Sequence, residues 1–468
     1  MLFNSFLFIG LVIVTFTLYY LKFLSKFQIP ILIFSSLFFY SFNQPILVLL
    51  LLFSVSINII SSYYIVYGNI KNKKAFAIAG VVINLSILLF FKYSPLFAKT
   101  FFKDSNSIGE FLYTLPLPIG ISFFTFQGIS LVIDVYNEKH IENKILVPKS
   151  FFIHSKQILF FKSFFPQLIS GPIVKAHDFI PQISTKSIND IQWDSFFKNM
   201  VLGYFLKLVV ADNLHNFTFW ITYPYFLEQS TLTLVIMLFG FSCQIFADFA
   251  GYSLIAIGVA KLFGYNFQDN FNFPYLSTSF KKFWKRWHIS LSSFIMEYLY
   301  IPLGGNRKGE LRTFLNLMTV MVLGGLWHGA SWSYAVWGFF HGTALAIERV
   351  ITKQINIKPN LLINILKGFM VFGFITIAWL LFKLTEFKHV IEYFKCCSNN
   401  FNNPNKFDLI IYTVLYSIPV IIYHAFHLFK EKSIFTKFKM IESVSYGIML
   451  FLIIVNSGSA NNFIYFQF

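Results

Sequence analysis

The sequence predicts an all-α polytopic membrane protein, and three observations carry that prediction. Of 468 residues, 56% are hydrophobic and only 12% charged, against about 45–50% apolar and about 25% charged in a soluble domain. A soluble fold of this size cannot cover so much apolar surface, because even large domains leave roughly a quarter of their area exposed. Charge-free runs long enough to cross a bilayer, about 20 residues each, recur along the chain. The basic residues gather in the short stretches between those runs, where they hold loops on the inner face of a membrane. That placement accounts for the net charge of +17 (37 Lys plus Arg, 20 Asp plus Glu) without nucleic acid as a partner. Three cysteines, Cys243 and the adjacent Cys396 and Cys397, exclude a disulfide scaffold, and such hydrophobicity excludes disorder.

The elements follow in order. Residues 2–21 are an uncharged first span with Lys22 and Lys26 behind it. No basic residue precedes it and no small-residue cleavage site follows, so it reads as an uncleaved span with its N-terminus outside. The charge-free stretch 27–70 makes two spans, with Pro30 and Pro45 as helix starts. Lys71, Lys73 and Lys74 return inside, 75–91 leads out, 92–110 is a loop of mixed charge, and 111–133 comes back. Residues 134–228 alternate apolar pieces such as 159–170 and 201–210 with charges. That pattern predicts short or re-entrant segments shielded by protein. Residues 229–247 form a span that meets Asp248, and 278–312 form the most basic loop, at the cytoplasmic face. The stretch 313–347 has no Asp, Glu, Lys or Arg. It is long for one span and short for two, which predicts helices broken around Gly324, Gly325 and Gly329. Spans at 361–382, 409–429 and 443–459 leave the C-terminus outside. The expectation is about 11 spanning or near-spanning helices in a single domain, 1–468, with a core at 111–347 between flanks 1–110 and 348–468.

Polar groups at membrane depth are costly and mark a lined interior or a site. His140, His154, His177 and His389 lie in polar stretches and read as surface residues; His424 and His427 read as a helix end near a basic loop. His288 in RWHIS, His328 in GGLWHGASW and His341 in WGFFHG differ. His328 is near the midpoint of the charge-free run, with Trp327 and Trp332 as walls of a narrow pocket. A neutral imidazole there can take a proton from a hydroxyl, the task of a base in acyl transfer. His341 is a candidate support. Neither HExxH nor CxxC occurs, so no metal is expected. GGNRKG at 304–309 reads equally as a basic turn able to meet phosphates and as an ordinary loop.

Several stretches together resemble the membrane-bound O-acyltransferase family: PLPIGISFFTFQGISLVIDVY at 116–136, FFPQLISGPIVK at 164–175, QIFADFAGYSLIAIG at 244–258, NFNFPYLSTSFKKFWKRWHISLSSFIMEYLYIPLGGNRKG at 270–309 and GGLWHGASWSYAVWGFFHG at 324–342. The resemblance is to the bacterial branch that acetylates alginate or peptidoglycan, with the teichoic acid D-alanyl transferase as a relative. It implies a ring of helices around a central passage in the bacterial cytoplasmic membrane. A donor thioester, acetyl-CoA, enters from inside and the acceptor is reached from outside; no permanently bound cofactor is implied. It places catalysis on His328 and a second active-site histidine on His288. Positive charge near the inner mouth makes Arg286 and Arg307 candidates to meet the phosphates of coenzyme A, with Trp327 as a further candidate donor contact. Asp248 is expected to meet a buried Arg, Lys or backbone N–H. The terminal NNFIYFQF resembles a Phe-x-Tyr-x-x-Phe motif of the D-alanylation system, matched by Phe463, Tyr465 and Phe468. This implies a relay in which Tyr465 carries the acyl group and a periplasmic SGNH-type acetyltransferase completes transfer to a cell-envelope glycan. Richness in Phe, Lys, Ile and Asn fits an AT-rich genome, which favours peptidoglycan over alginate or another exopolysaccharide. Direct acylation of a lipid or protein is the mode of other family branches. A transporter or flippase, the alternative of another class, calls for an inverted repeat that the sequence does not show.

Overall fold

The computed structural model describes residues 1, 3–42, 44–102, 107–138, 147–168, 171–355, 360–430, 438–459, 461 and 463. No strand occurs among the described residues. Six helices are long and apolar enough to cross a membrane, and three shorter apolar ones, Phe6–Tyr20, Ile121–Tyr136 and Met440–Val455, accompany them. The chain is therefore a multi-pass, all-α membrane protein. Its contacts divide it into two compact units, Met1–Met200 with Ile255–Gln268, and Val201–Leu254 with Asp269–Phe468.

The first unit holds α1 (Phe6–Tyr20), α2 (Gln28–Ser41), α3 (Leu47–Tyr67), α4 (Lys73–Phe101), α5 (Ser107–Thr114), α6 (Ile121–Tyr136), α7 (Phe151–Ser163), the short α8 (Phe165–Leu168) and α9 (Ala176–Phe179), and the greater part of α10 (Trp193–Tyr204). Pro30 sits in the first turn of α2, where a missing N–H breaks no helical bond. The span expected to stop at residue 91 runs on to Phe101, because Lys92 is buried with its Nζ 3.3 Å from Ser122 Oγ instead of opening a loop. The span expected at 111–133 is divided: α5 ends at Thr114, and left-handed Gly120 (φ 76°) turns the chain into α6. Buried polar groups pair with one another. Asn58 and Asn84 exchange side-chain hydrogen bonds of 3.3 and 3.0 Å, and Lys162 Nζ donates to Ser54 Oγ at 2.7 Å. Two histidines expected at the surface lie in such pairs. His154 is 1% exposed and 2.8 Å from Ser62 Oγ, and His177 Nδ1 is 2.7 Å from Asp134 Oδ2. Their partners are distant in sequence, so the polar flanks around these histidines were a poor guide.

The second unit holds α11 (Asp212–Thr218), the greater part of α12 (Thr231–Leu262), α13 (Phe280–Arg286), α14 (Ile289–Ile295), α15 (Glu310–His328), α16 (Trp332–Gln354), α17 (Leu361–Lys383), α18 (Phe387–Asn399), α19 (Phe407–Lys430) and α20 (Phe438–Val455). Three expectations are corrected here. α12 does not stop at Asp248. Lys207, on the π-helical stretch Phe205–Ala211, places its Nζ 2.7 Å from both Asp248 Oδ1 and Asp212 Oδ1, so the carboxylate is matched inside the fold. The basic stretch 278–312 is largely helical, with α13, α14 and a π-helical stretch, Met296–Tyr300. The run 313–347 carries two full helices because α15 begins at Glu310 and α16 continues to Gln354. The break falls at Gly329, as expected there, while the helix passes unbroken through Gly324 and Gly325.

Beyond α20 the chain packs on the π-helical stretch. Gly458 N–H donates to Leu208 O at 2.8 Å and Asn213 Nδ2 to Asn456 O at 3.0 Å. A π turn spaces its carbonyls out of α register, and here one of them takes an outside donor. Phe463 is fully buried, with its ring 4.4 Å from Tyr252 and 5.7 Å from Phe249. Tyr465 and Phe468 lie outside the described residues.

Lys207, Asp212 and Asp248 are each at most 3% exposed. Lys207→Met strands two buried carboxylates and is expected to cost about 3–5 kcal/mol. Lys73→Met removes a surface pair with Glu138 and a long contact with the Tyr136 ring and is expected to cost about 1 kcal/mol or less. Thermal unfolding of the two purified full-length variants in detergent checks the contrast.

Candidate active site

The site grows from the junction of α15 and α16. A Cβ on Gly325 would lie 2.2 Å from Tyr334 O, and one on Gly338 would lie 2.2 Å from Met321 O. The two backbones therefore approach as only glycine permits. His328, the last residue of α15, is 4% exposed and stands among aromatic rings: Trp327 at 5.1 Å, Trp337 at 5.3 Å and Phe382 at 5.2 Å. His341, one turn beyond Trp337, is fully buried 4.5 Å from that ring and 5.1 Å from Trp284. Among the described residues neither ring nitrogen of His341 has a hydrogen-bond partner.

His288 precedes α14 with φ 44°, a left-handed conformation that a non-glycine residue adopts only when its surroundings enforce it. Asn270 does so. Its backbone carbonyl accepts from Ile289 N–H at 2.9 Å, and its Oδ1 accepts from Ser290 N–H at 3.2 Å and Ser290 Oγ at 2.9 Å. Its Nδ2 donates to Ser253 Oγ at 3.1 Å. The backbone N–H of Ser290 can only donate, which fixes Oδ1 as the acceptor on that side. His288 Nδ1, 3.1 Å from the same Oδ1, must then carry its proton, and the lone pair of the neutral ring sits on Nε2. The rings of His288 and His328 are 6.3 Å apart, centre to centre.

A cavity of about 640 Å³ reaches this centre. His328, Trp337 and Gly324, all buried, line it together with exposed Lys281, Lys285 and Arg307. Glu348 ties α16 to the start of α13: it accepts from Phe280 N–H and, at 3.3 Å, from Lys281 N–H, which fixes the turn bearing Lys281. The glycine-rich turn at 304–309 is held by Asn316, whose Nδ2 donates to Gly305 O at 2.9 Å. That leaves Arg307 on the cavity wall. Arg349 and Lys353, also on the wall, bond the exposed Glu310 and hold its carboxyl down at about 2. Among the described residues no carboxylate pairs with Lys281, Lys285 or Arg307. A cavity with a basic exposed rim and an imidazole at its buried end can hold an anionic ligand with a reactive apolar tail.

The sequence candidates separate accordingly. His328, His288 and Trp327 come together, with Trp327 against His328 rather than on the cavity wall, and Arg307 reaches the cavity. Arg286 does not line it, because its guanidinium turns to Phe273 O at 3.5 Å. Trp332 is 59% exposed and walls nothing near His328. Asn270, Trp284, Trp337 and Phe382 were missed. Trp337 lies nine residues after His328 across the helix break at 329–331, and Asn270 lies eighteen before His288 with non-helical chain on both sides of α13, so no shared helix face connects either pair.

The family profile described as MBOAT, membrane-bound O-acyltransferase family, matches residues 152–387. The chain is similar to a peptidoglycan O-acetyltransferase of Helicobacter pylori, 33% identical over 83% of this chain and 80% of the relative. It is also similar to a probable alginate O-acetylase of Pseudomonas aeruginosa, 36% identical over 65% of this chain, and spans 57% of that relative's length. A teichoic acid D-alanyltransferase of Bacillus subtilis is 25% identical over 58% of this chain and 70% of its own length.

The tautomer assignment is open to direct measurement. ¹⁵N spectra of histidine-labelled protein are expected to show His288, identified by difference against His288→Gln, protonated on Nδ1. Asn270→Leu is expected to convert that signal to the mixed tautomers of an unrestrained neutral ring.

Proposed function

The chain belongs to the membrane-bound O-acyltransferase family, and from that premise we propose that it passes acetyl groups from cytoplasmic acetyl-CoA towards a cell-envelope polysaccharide, peptidoglycan first, in the bacterial cytoplasmic membrane. The observation that carries this reading is His328 at the buried end of a cavity with an exposed basic rim. Lys281, Lys285 and Arg307 answer the phosphates of coenzyme A, and the apolar wall answers its acyl arm. In the transfer step a ring nitrogen of His328 takes the proton of an acceptor hydroxyl, whose oxygen bonds to the thioester carbonyl carbon. The C–S bond breaks, and the coenzyme A thiolate leaves with the proton from the imidazolium, giving an ester and free thiol. His288, with its Nε2 lone pair set by Asn270, orients the same hydroxyl.

The first acceptor in this proposal is the hydroxyl of Tyr465. With a pKa near 10 a tyrosine needs a base beside it. Phe463, two residues earlier, packs on Phe249, whose ring stands 4.6 Å from His288. A periplasmic SGNH-type acetyltransferase then takes the acetyl to the glycan. About 11 spanning or re-entrant helices around a central passage, which let donor and acceptor meet from opposite sides, belong to the same proposal. Peptidoglycan is preferred because the similarity to the Helicobacter pylori enzyme runs along 80% of that relative. The alginate relatives keep an exopolysaccharide as the second reading.

Purified protein incubated with acetyl-labelled acetyl-CoA tests these assignments. His328→Ala is expected to lose about 10²–10⁴-fold in thioester consumption, and full activity in that variant removes the base. Tyr465→Phe is expected to abolish label on the chain, and undiminished transfer to the glycan by that variant removes the relay. Arg307→Ala is expected to raise KM for acetyl-CoA about tenfold with kcat unchanged, the loss of one charged hydrogen bond of about 1.5 kcal/mol.

A further inference from the structure

One glycine at this site is not explained by packing. Gly325, Gly329 and Gly338 are each forced, since a Cβ on any of them would come within 2.2 Å of a backbone carbonyl or the Tyr334 ring, and one on Gly342 would press on Met318 Sδ at 2.8 Å. Gly324 differs: a Cβ there would meet only Ile295 Cδ1, at an ordinary 3.4 Å. Inside a helix glycine costs about 1 kcal/mol relative to alanine, so its presence answers some other need. Gly324 lines the cavity and lies one turn before His328, on the same face of α15. Trp327, Trp337 and Phe382 surround the imidazole with rings at 5.1–5.3 Å. Trp337 cannot swing aside, because Trp284, Trp379 and Phe382 hold it at 5.7, 5.8 and 5.7 Å.

We infer that Gly324 and Trp337 set the size of the acyl group. The side chain missing at Gly324 leaves room beside His328 for one small group, an acetyl, and the fixed indole of Trp337 stops a longer chain. This rests on His328 as the base of the acyl transfer. It assigns chain-length selection to two residues that leave the basic rim untouched.

The test compares acetyl-CoA with butyryl-CoA in purified full-length variants, following thiol release. Gly324→Ala is expected to lower kcat/KM for acetyl-CoA about tenfold and Gly324→Val about 100-fold, the range that one or two misplaced methyl groups produce in an apolar pocket. Both are expected to unfold at or above the temperature of the parent, since each removes a helical glycine, and to keep its affinity for free coenzyme A. Trp337→Leu is expected to raise the butyryl-to-acetyl ratio of kcat/KM at least about tenfold. Parent-like acetyl kinetics in folded Gly324→Val, or an unchanged ratio in Trp337→Leu, overturns the inference. His328→Ala in the same assay separates the two levels. If it is inactive while the size variants behave as the parent, only chain-length selection fails; if it is active, the base assignment fails and the inference with it.

Discussion

Two backbones lie closer together at the site than side chains allow, and the chemistry of the second unit depends on it. Gly325 and Gly338 let α15 and α16 meet with carbonyl oxygens 2.2 Å from where a Cβ would stand. The ring of Tyr334 fills the space beside Gly329, so α15 ends at His328, and Ser331 caps the start of α16 by accepting from Ser333 N–H at 3.4 Å. The last residue of one helix thereby faces the first turns of the next, where Trp337 and His341 project. Glycine weakens a helix by roughly 0.5–1 kcal/mol at each position. The offset comes from the buried rings of Trp337, Trp379 and Phe382, whose pairs add about 0.5–1.5 kcal/mol each beyond area burial.

A second constraint acts in each unit on its own terms. A polar group removed from water is costly unless it finds a partner in the protein, and among the described residues His341 is an exception. In the first unit Asn58 and Asn84 answer each other, and Lys162 answers Ser54. In the second, Lys207 answers two aspartates, and Asn270 answers His288, Ser290 and Ser253. Only the last of these also sets a chemical state. The bonds that satisfy Asn270 decide which nitrogen of His288 holds the proton, so structural satisfaction sets a protonation state there.

What the sequence disclosed and what it hid follow from distance along the chain. Membrane class and several spans were legible because hydropathy is local. His288 and His328 were legible because each sits inside a compact motif. A buried Arg, Lys or N–H partner for Asp248 was legible; that it is Lys207, forty-one residues earlier, and that α12 therefore runs on through the carboxylate, was not. The burial of His154 beside Ser62 and the pairing of His177 with Asp134 were hidden by the same kind of distance along the chain. Arg286 and Arg307 look alike in sequence, yet one turns to Phe273 O and the other faces the cavity. Which way a residue faces is set by α13, α14 and the 304–309 turn, and the basic composition of that stretch masked those elements as loop. Gly324 and Gly325 are neighbours with different surroundings, one beside a cavity and the other against a helix, a distinction that only three dimensions supply.

On the proposed reading the cavity orders a donor, anionic end at the exposed basic rim and acyl end beside His328. A structure of the full-length protein with a non-hydrolysable thioether analogue of acetyl-CoA tests this arrangement. Phosphates are expected against Lys281, Lys285 and Arg307, and the acyl carbons between Gly324, His328 and Trp337. An analogue bound away from this cavity, or one whose acyl end points away from His328, would contradict it.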